Sequence, residues 1–203
     1  SEDGTTITTR NIFVNVLQIY EVSVQVSGDS SKKGDPGDEL IFEMTIKNKG
    51  NGEDTVSLAL EGEKASWASI VDEIELSRGE TKTVNLTVNI DDDATVGDND
   101  IIVNGTSEDN PSAYDTGTVK VSVNKQFKVD VVVSSKSGDP GSTVQYDIRI
   151  QNEGTGVDTF TVNIDDYPAG WSVDPVSFQV EDIEAGGEKL VTLNVTIRSG
   201  EDN

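Results

Sequence analysis

Apolar residues occupy every second position over 40–46, 56–60 and 84–90, and no segment shows the three-to-four-residue spacing of an amphipathic helix. Strict alternation of this kind predicts β-strands with one buried face. Clusters of Gly, Pro, Asn and Asp separate the runs and predict turns. In the first half of the chain the predicted strands lie near 20–27, 39–48, 54–61, 73–77, 82–90, 100–106 and 116–124. About seven short strands in roughly 100 residues are typical of an immunoglobulin-like β-sandwich.

An internal repeat extends this pattern to the second half of the chain. Four local motifs recur at a constant offset of 104 residues: Gly-Asp-Pro-Gly at 34–37 and 138–141, Asn-x-Gly-x-Gly at 48–52 and 152–156, Asp-Thr at 54–55 and 158–159, and Trp67 with Trp171. A constant offset across unrelated motifs indicates tandem duplication, and a period near 100 residues is a whole domain. We therefore predict an all-β chain with two tandem immunoglobulin-like sandwiches, over 20–125 and 126–203.

The two ends of the chain match the interior of the repeat. Ile12, Val14 and Val16 alternate in the same way as the predicted strand at 116–124, whereas the second copy stops short of any counterpart of the last two strands. The second sandwich is therefore predicted to be incomplete at its C-terminus. Two interpretations of 1–19 stay open. It is the last strand of a preceding repeat in a longer protein, or it is a donor strand that completes a neighbouring copy.

Glycines and prolines mark the predicted corners. Pro36 fixes the backbone for the second position of a tight turn, and Gly37 accepts the positive φ that follows. Gly50 and Gly52 lie between two alternating runs and are predicted to close a hairpin. The second copy repeats both features.

Composition excludes several classes of function. The chain of 203 residues has 38 acidic and 15 basic side chains, a formal charge of −23, and neither histidine nor cysteine. Ser-His-Asp and Cys-His nucleophile systems, thiolate zinc sites and disulfides are therefore absent. The negative charge disfavours nucleic acid as a partner. The apolar runs are far shorter than the ~20 residues of a membrane-spanning helix, so we expect no membrane insertion in this segment.

The repeated motifs resemble a known family. Gly-Asp-Pro-Gly, an alternating strand, Asn-x-Gly-x-Gly-x-Asp-Thr, a tryptophan and Gly-Glu follow one another twice, over about 20–197. This order is similar to the immunoglobulin-like repeats of archaeal and bacterial cell-surface proteins, of the CARDB-like and NPCBM-associated type. The usual proline before Gly-Glu is missing at 79–80 and at 187–188. The resemblance implies an extracellular sandwich used as a spacer, an adhesive stalk or an accessory to a carbohydrate-active enzyme, with no shared catalytic residues.

The tryptophans admit two interpretations. Trp67 and Trp171 occupy equivalent positions, one in each copy. Aromatic side chains at such positions are usually buried, so we predict that each covers the core of its own sandwich. The alternative is an exposed platform for sugars.

Two kinds of surface site are candidates. Sequons for N-glycosylation occur at Asn85, Asn104 and Asn194, with Asn104 the best placed near a strand end. Carboxylates that could bind calcium cluster after the strand at 82–90. They are Asp91, Asp92, Asp93, Asp98 and Asp100. Calcium prefers such oxygen ligands, but the spacing matches no known loop and also suits a solvated turn.

These observations predict a non-enzymatic, extracellular spacer segment of a repeat-containing cell-surface protein, such as a stalk, surface layer or adhesin. Its expected partners are neighbouring repeats of the same protein, with no cofactor except possible calcium. Two alternatives stay open: a homo-oligomeric filament subunit assembled by strand exchange, and an adhesion module that depends on carbohydrate or calcium.

Overall fold

The computed structural model describes residues 9–200, which fold into two β-sandwiches in series. Sandwich 1 spans 22–123, and a single 3-10 turn, Ala65–Trp67, precedes its fifth strand. Its strands are β1 (Val22–Ser27), β2 (Ser31–Gly34), β3 (Glu39–Asn48), β4 (Asp54–Glu61), β5 (Ala68–Ser69), β6 (Glu73–Leu76), β7 (Thr81–Asn89), β8 (Gly97–Ser107) and β9 (Tyr114–Val123).

Sandwich 1 has the topology of a complete immunoglobulin-like domain. One sheet has the order β1-β3-β7-β5, and the other has the order β2-β9-β8-β4-β6. Every pairing is antiparallel except that of β2 with β9, which is parallel. The inward positions of the alternating strands form one core, which includes Phe42, Met44, Leu86 and Ile101.

Sandwich 2 spans 129–196 and has a smaller set of strands. They are β10 (Val129–Val133), β11 (Thr143–Asn152), β12 (Asp158–Asn163), β13 (Ser172–Asp174), β14 (Ser177–Ile183) and β15 (Glu188–Thr196). The sheet β10-β11-β15-β13 reproduces its counterpart in sandwich 1, but the second sheet contains only β12 and β14. Within 129–200 nothing takes the places of β2, β8 and β9, so one side of this core is open.

The predicted fold class is confirmed, and the differences are local. All seven predicted strands of the first copy are present, whereas β2 and β5 were not predicted. The β2 sequence Ser-Lys-Lys-Gly has no apolar alternation, and this strand exists because its backbone pairs with β9. β5 has two residues and pairs only with the middle of β7. Both β2 and β5 therefore form because they pair with a strand that is distant in the sequence, and the local sequence does not encode such pairing.

The two kinds of predicted corner have different outcomes. The turn at 35–38 closes with a 3.0 Å hydrogen bond from Asp38 N–H to Asp35 O, and Gly37 has φ +86° as a type II turn requires. The prediction of a hairpin at Gly50 and Gly52 is wrong, because β3 and β4 belong to different sheets. The loop between them crosses from one sheet to the other.

The difference in core size predicts two separate unfolding transitions. Ile46 and Ile150 are equivalent, fully buried residues, but they belong to cores of eighteen and six buried apolar residues. We expect sandwich 2 to melt first. Ile150→Ala should lower the melting temperature of the first transition, and Ile46→Ala that of the second. Each change should reduce the free energy of unfolding of its own sandwich by about 2–5 kcal/mol, as large-to-small core changes do.

Differential scanning calorimetry measures both transitions. Emission from Trp67 in a Trp171→Phe background assigns one of them to sandwich 1. A single transition that both alanine variants lower equally would contradict independent folding of the two sandwiches.

Candidate functional site

Several backbone and side-chain hydrogen bonds meet at the junction between the sandwiches. Residues 124–128 connect β9 to β10, and the loop at 152–156 binds this linker by hydrogen bonds. Thr155 N–H donates to Gln126 O at 3.1 Å, and Gln126 N–H donates to Thr155 Oγ1 at 2.7 Å. The Thr155 hydroxyl donates to Asn124 O at 3.1 Å, and Glu153 N–H donates to Lys128 O at 2.9 Å. Four hydrogen bonds therefore fix the linker.

Sandwich 1 holds the segment that precedes it in the same way. Asn51 N–H donates to Ile19 O at 3.2 Å, and Ile19 N–H donates to Asn51 Oδ1 at 2.7 Å. Asn51 Nδ2 donates to Leu17 O at 3.0 Å, and Lys49 N–H donates to Glu21 O at 2.7 Å. We call this repeated arrangement the linker clamp: loop 48–52 with segment 17–21, and loop 152–156 with segment 124–128.

A buried asparagine gives each clamp loop its shape. Asn48 and Asn152 are both 1% exposed. Asn152 Nδ2 donates to Gly156 O at 2.8 Å and to Ile183 O at 2.7 Å, while its Oδ1 accepts from Gly154 N–H at 2.9 Å. Asn48 makes the same three contacts in sandwich 1. Because the side chain replaces backbone partners inside the core, the loop is held rigidly where it leaves β11 or β3.

Close approach of the linker requires glycine in the loop. A Cβ atom on Gly154 would lie 2.4 Å from Gln126 O, and one on Gly50 would lie 2.4 Å from Ile19 O. Both distances are far below van der Waals contact, so any larger residue would displace the linker. This explains why the Asn-x-Gly pair recurs in both copies.

Contacts from sandwich 1 itself complete the junction. Val96, just before β8, donates its N–H to Thr155 O at 2.8 Å, and a Cβ on Gly156 would lie 2.7 Å from the Val96 side chain. Lys125 donates to Val157 O at 2.8 Å and lies 3.8 Å from Asp158. Concavities of about 390 and 470 Å³ flank this contact and share Asp92, Glu153 and Thr155 among their lining residues.

A partly buried acidic cluster adjoins the clamp of sandwich 1. Asp54, which follows the clamp loop, is 3% exposed, and its Oδ1 accepts from the Ser107 hydroxyl at 2.9 Å. Its Oδ2 has no hydrogen-bond partner among the described residues. Burial raises the pKa of Asp54 above its ordinary value of 3.8, the Ser107 bond opposes this, and the charge of Asp109 adds to it. Burial, with the charges of Asp109 and Asp54, likewise raises the pKa of Tyr20.

The structure does not bring the predicted calcium ligands together. Among residues 9–200 no three acidic side chains lie close enough to hold a metal ion. Asp91 accepts a 2.6 Å hydrogen bond from the Trp67 indole, so it serves the core. Asp98 and Asp100 lie 3.9 and 2.9 Å from Lys120. Asp92 and Asp93 line the concavities at the junction.

The sequons differ in access. Asn85 on β7 and Asn194 on β15 are exposed on the outer faces of their sheets. Asn104 on β8 is half-buried, and its Nδ2 donates to Glu61 Oε1 at 2.9 Å. The site predicted to be best placed is therefore the one whose amide nitrogen is already engaged.

The two tryptophans are not equivalent in the structure. Trp67 is 4% exposed and belongs to the core of sandwich 1, with Lys64 Nζ 4.8 Å from the ring centroid. Trp171 is half-buried and lies outside the buried core of sandwich 2. The predicted core position therefore applies to Trp67 and not to Trp171.

The candidate donor segment forms no strand in the structure. Ile12, Val14 and Val16 lie in no β-strand and are 88%, 80% and 76% exposed. The first eight residues of the predicted segment 1–19 lie outside the described part of the chain.

The linker clamp itself was missed from the sequence. A Gly-x-Gly loop between two alternating runs is an ordinary hairpin signature, and nothing local indicates a sheet crossover. One available signal was the asparagine that precedes the glycines in both copies, which a two-residue hairpin turn does not require.

Comparison with known proteins gives only weak structural likenesses. No family model matches the chain, and no curated protein matches it. Among solved structures, a PapD-like domain of human CEP192 is 14% identical, with 51% of this chain and 83% of that chain covered at a TM-score of 0.35. The YadV chaperone is 10% identical, with 90% and 89% covered at a TM-score of 0.36.

A partial likeness also exists to a family 123 glycoside hydrolase from Clostridium perfringens. It is 9% identical and covers 51% of this chain at a TM-score of 0.44. This chain spans only 27% of that enzyme.

The raised pKa of Asp54 predicts how the stability of sandwich 1 changes with pH. The folded state holds this proton more tightly than the unfolded chain, so its contribution is fully present below pH 3.8 and is lost as pH rises through the raised value. We expect Asp54→Asn to keep the Ser107 bond without the buried charge. The melting temperature of the variant should match wild type in acid and exceed it at neutral pH.

The equivalent change in sandwich 2 serves as the control. Asp158→Asn removes an ion pair with Lys125 instead of a buried charge, so it should not stabilise at neutral pH. Thermal melts between pH 3 and pH 8 measure the difference. A stability difference between Asp54→Asn and wild type that stays constant with pH would contradict the assignment.

Proposed function

We propose that this chain is a non-enzymatic structural spacer, a segment of an extracellular repeat protein that holds sandwich domains in fixed series. The observation that carries the proposal is the repeated linker clamp. The same four backbone groups, on three residues of the preceding segment, are bound at the entry to each sandwich. Folding of a single sandwich does not require a fixed direction of the linker that precedes it, whereas a spacer of defined geometry does.

The geometry of the junction favours restricted bending. Only five residues separate β9 from β10, and three of them donate or accept clamp hydrogen bonds. The Val96 bond to Thr155 joins the body of sandwich 1 to the loop of sandwich 2. Short linkers with contacts on both sides transmit orientation, whereas long flexible ones do not.

The remaining surface suits a spacer rather than a catalyst. Asp54, the perturbed carboxyl group, lines neither concavity at the junction and is buried beside Ser107. Among residues 9–200 no helix has the length and apolarity to cross a bilayer. The charge of −23 keeps neighbouring surfaces apart in dilute salt. The extracellular location is part of this proposal, and its support is the similarity of the repeated motifs to those of cell-surface repeats.

Loosening the clamp should make the two sandwiches move independently. Thr155→Val keeps the volume of the side chain but removes the hydroxyl that accepts from Gln126 and donates to Asn124. Gly154→Ala forces the linker away from the loop. We expect wild type to orient as one body in residual dipolar couplings, and both variants to need a separate alignment tensor for each sandwich.

Thr118→Val provides the matched control, because Thr118 is exposed in the middle of β9, away from the clamp. It should leave the couplings unchanged. Equal and independent motion of the sandwiches in wild type and in Thr155→Val would refute the spacer proposal.

A further inference from the structure

We propose that sandwich 1 bears tension along the chain, and that the parallel pairing of β2 with β9 is the element that resists it. β2 follows the first strand of the sandwich and β9 is its last strand, so a pull on the two linkers acts on both. This inference goes beyond the spacer proposal, because a spacer with fixed joints need not resist a pull. Its test does not use the clamp variants.

The chain enters and leaves sandwich 1 at opposite poles. The incoming linker is bound to the clamp loop 48–52, and β1 starts beside that loop, with Val22 opposite Asn48. We call this end the entry pole. β9 also starts there, since Val24 N–H donates to Asp115 Oδ2 at 2.9 Å. β9 then runs to the opposite pole, where the linker to sandwich 2 begins.

The direction of β2 determines how a pull acts on its hydrogen bonds. β2 runs parallel to β9, with Ser31 opposite Lys120 and Gly34 opposite Val123. Tension draws β2 toward the entry pole through β1, and it draws β9 toward the opposite pole. The two strands are therefore pulled along each other, and all the bonds between them carry load together. If they were antiparallel, both linkers would attach at one end of the pair and the bonds would break one after another.

Hydrogen bonds at both ends of this pairing show which groups carry the load. Lys120 N–H donates to Ser30 O at 2.8 Å, and Asn124 N–H donates to Gly34 O at 2.9 Å. β2 lies at the edge of its sheet, so β9 is its one strand neighbour there. The bonds to β9 therefore hold β2 in the sheet.

The β2–β9 pairing is the short connection on the path between the linkers. β9 pairs with β8 over ten positions but with β2 over four. Lys120 Nζ also lies 2.9 Å from Asp100 on β8, and Lys32 Nζ on β2 donates to Ile41 O on β3 at 2.5 Å. Both strands are thus attached to the rest of the sandwich. Under tension the bonds between β2 and β9 have to break before the core opens.

Adjacent lysines of β2 differ in where their amides point. In a parallel ladder, alternate amides of a strand face the partner strand. Since Ser31 lies opposite Lys120, and Lys120 N–H is bound to Ser30 O, the amide of Lys32 faces β9. The amide of Lys33 then points to the open edge, where proline is tolerated. The two positions form a matched pair for substitution.

Single-molecule force spectroscopy on the full 203-residue chain tests the proposal by changing the direction of the pull. The chain has no cysteine, so introduced cysteines are unique attachment points. L17C with F127C pulls sandwich 1 through its two linkers. L17C with S112C attaches both handles at the entry pole, because Ser112 lies in the turn between β8 and β9, and this pull unzips strands from one end. All three side chains are exposed.

Three further variants, pulled through the two linkers, separate the bond from its surroundings. K32P removes the amide that faces β9, K33P places proline where the amide faces away, and K32A removes the Lys32 side chain but keeps its amide. At equal load K32P should unfold about fivefold faster than K32A, the factor that corresponds to one net backbone hydrogen bond of about 1 kcal/mol. K33P should unfold as wild type does.

We expect the chain without further substitutions to unfold at a higher force through the two linkers than through the two handles at the entry pole. This comparison needs no proline variant, so it holds even if K32P does not fold. Equal unfolding forces in the two directions would overturn the proposal. An unfolding rate of K33P as high as that of K32P, or of K32P no higher than that of K32A, would overturn it as well.

Discussion

A single buried amide determines how this chain is organised. Asn152, and Asn48 in the first copy, each make three side-chain hydrogen bonds that hold a loop crossing between the two sheets. Leaving those backbone groups unpaired in a core would cost about 1–3 kcal/mol each. With the loop fixed, its glycine and the residue after it face outward at a constant position. The incoming linker binds there, so the path of the chain between domains depends on a contact made inside one of them.

The sequence was sufficient for the fold because the fold depends on local alternation and on a repeat. Period-two patterns predicted seven strands of sandwich 1, and the 104-residue offset predicted a second sandwich without reference to structure. The errors have one origin. β2, β5 and the 48–52 loop each derive their conformation from a distant partner, which is β9, β7 and the linker respectively. Alternation reports which face of a strand is buried, but not which strand or segment lies beside it.

Comparison of the two copies shows that the exposure of a side chain depends on its surroundings as well as on its identity. Val24 and Val131 are the same amino acid at the same position of equivalent strands, yet one is buried and the other is half exposed. Trp67 and Trp171 differ in the same direction. Neighbouring strands account for the difference at the valines, so no pattern in the sequence of β10 could have revealed it. The candidate site was harder to predict than the fold for the same reason.

The clamp binds mostly main-chain groups of the segment that it holds. Carbonyl and amide groups of residues 17, 19 and 21, or of 124, 126 and 128, make the contacts, and the side chains at these positions differ between the copies. A joint of this kind depends little on the side chains of these three residues, provided that the middle one keeps its N–H and is not proline. Duplication of one unit in the gene therefore inserts a domain whose joints are already formed at both ends. In the proposed spacer, the number of sandwiches can then change without compensating substitutions at these three positions.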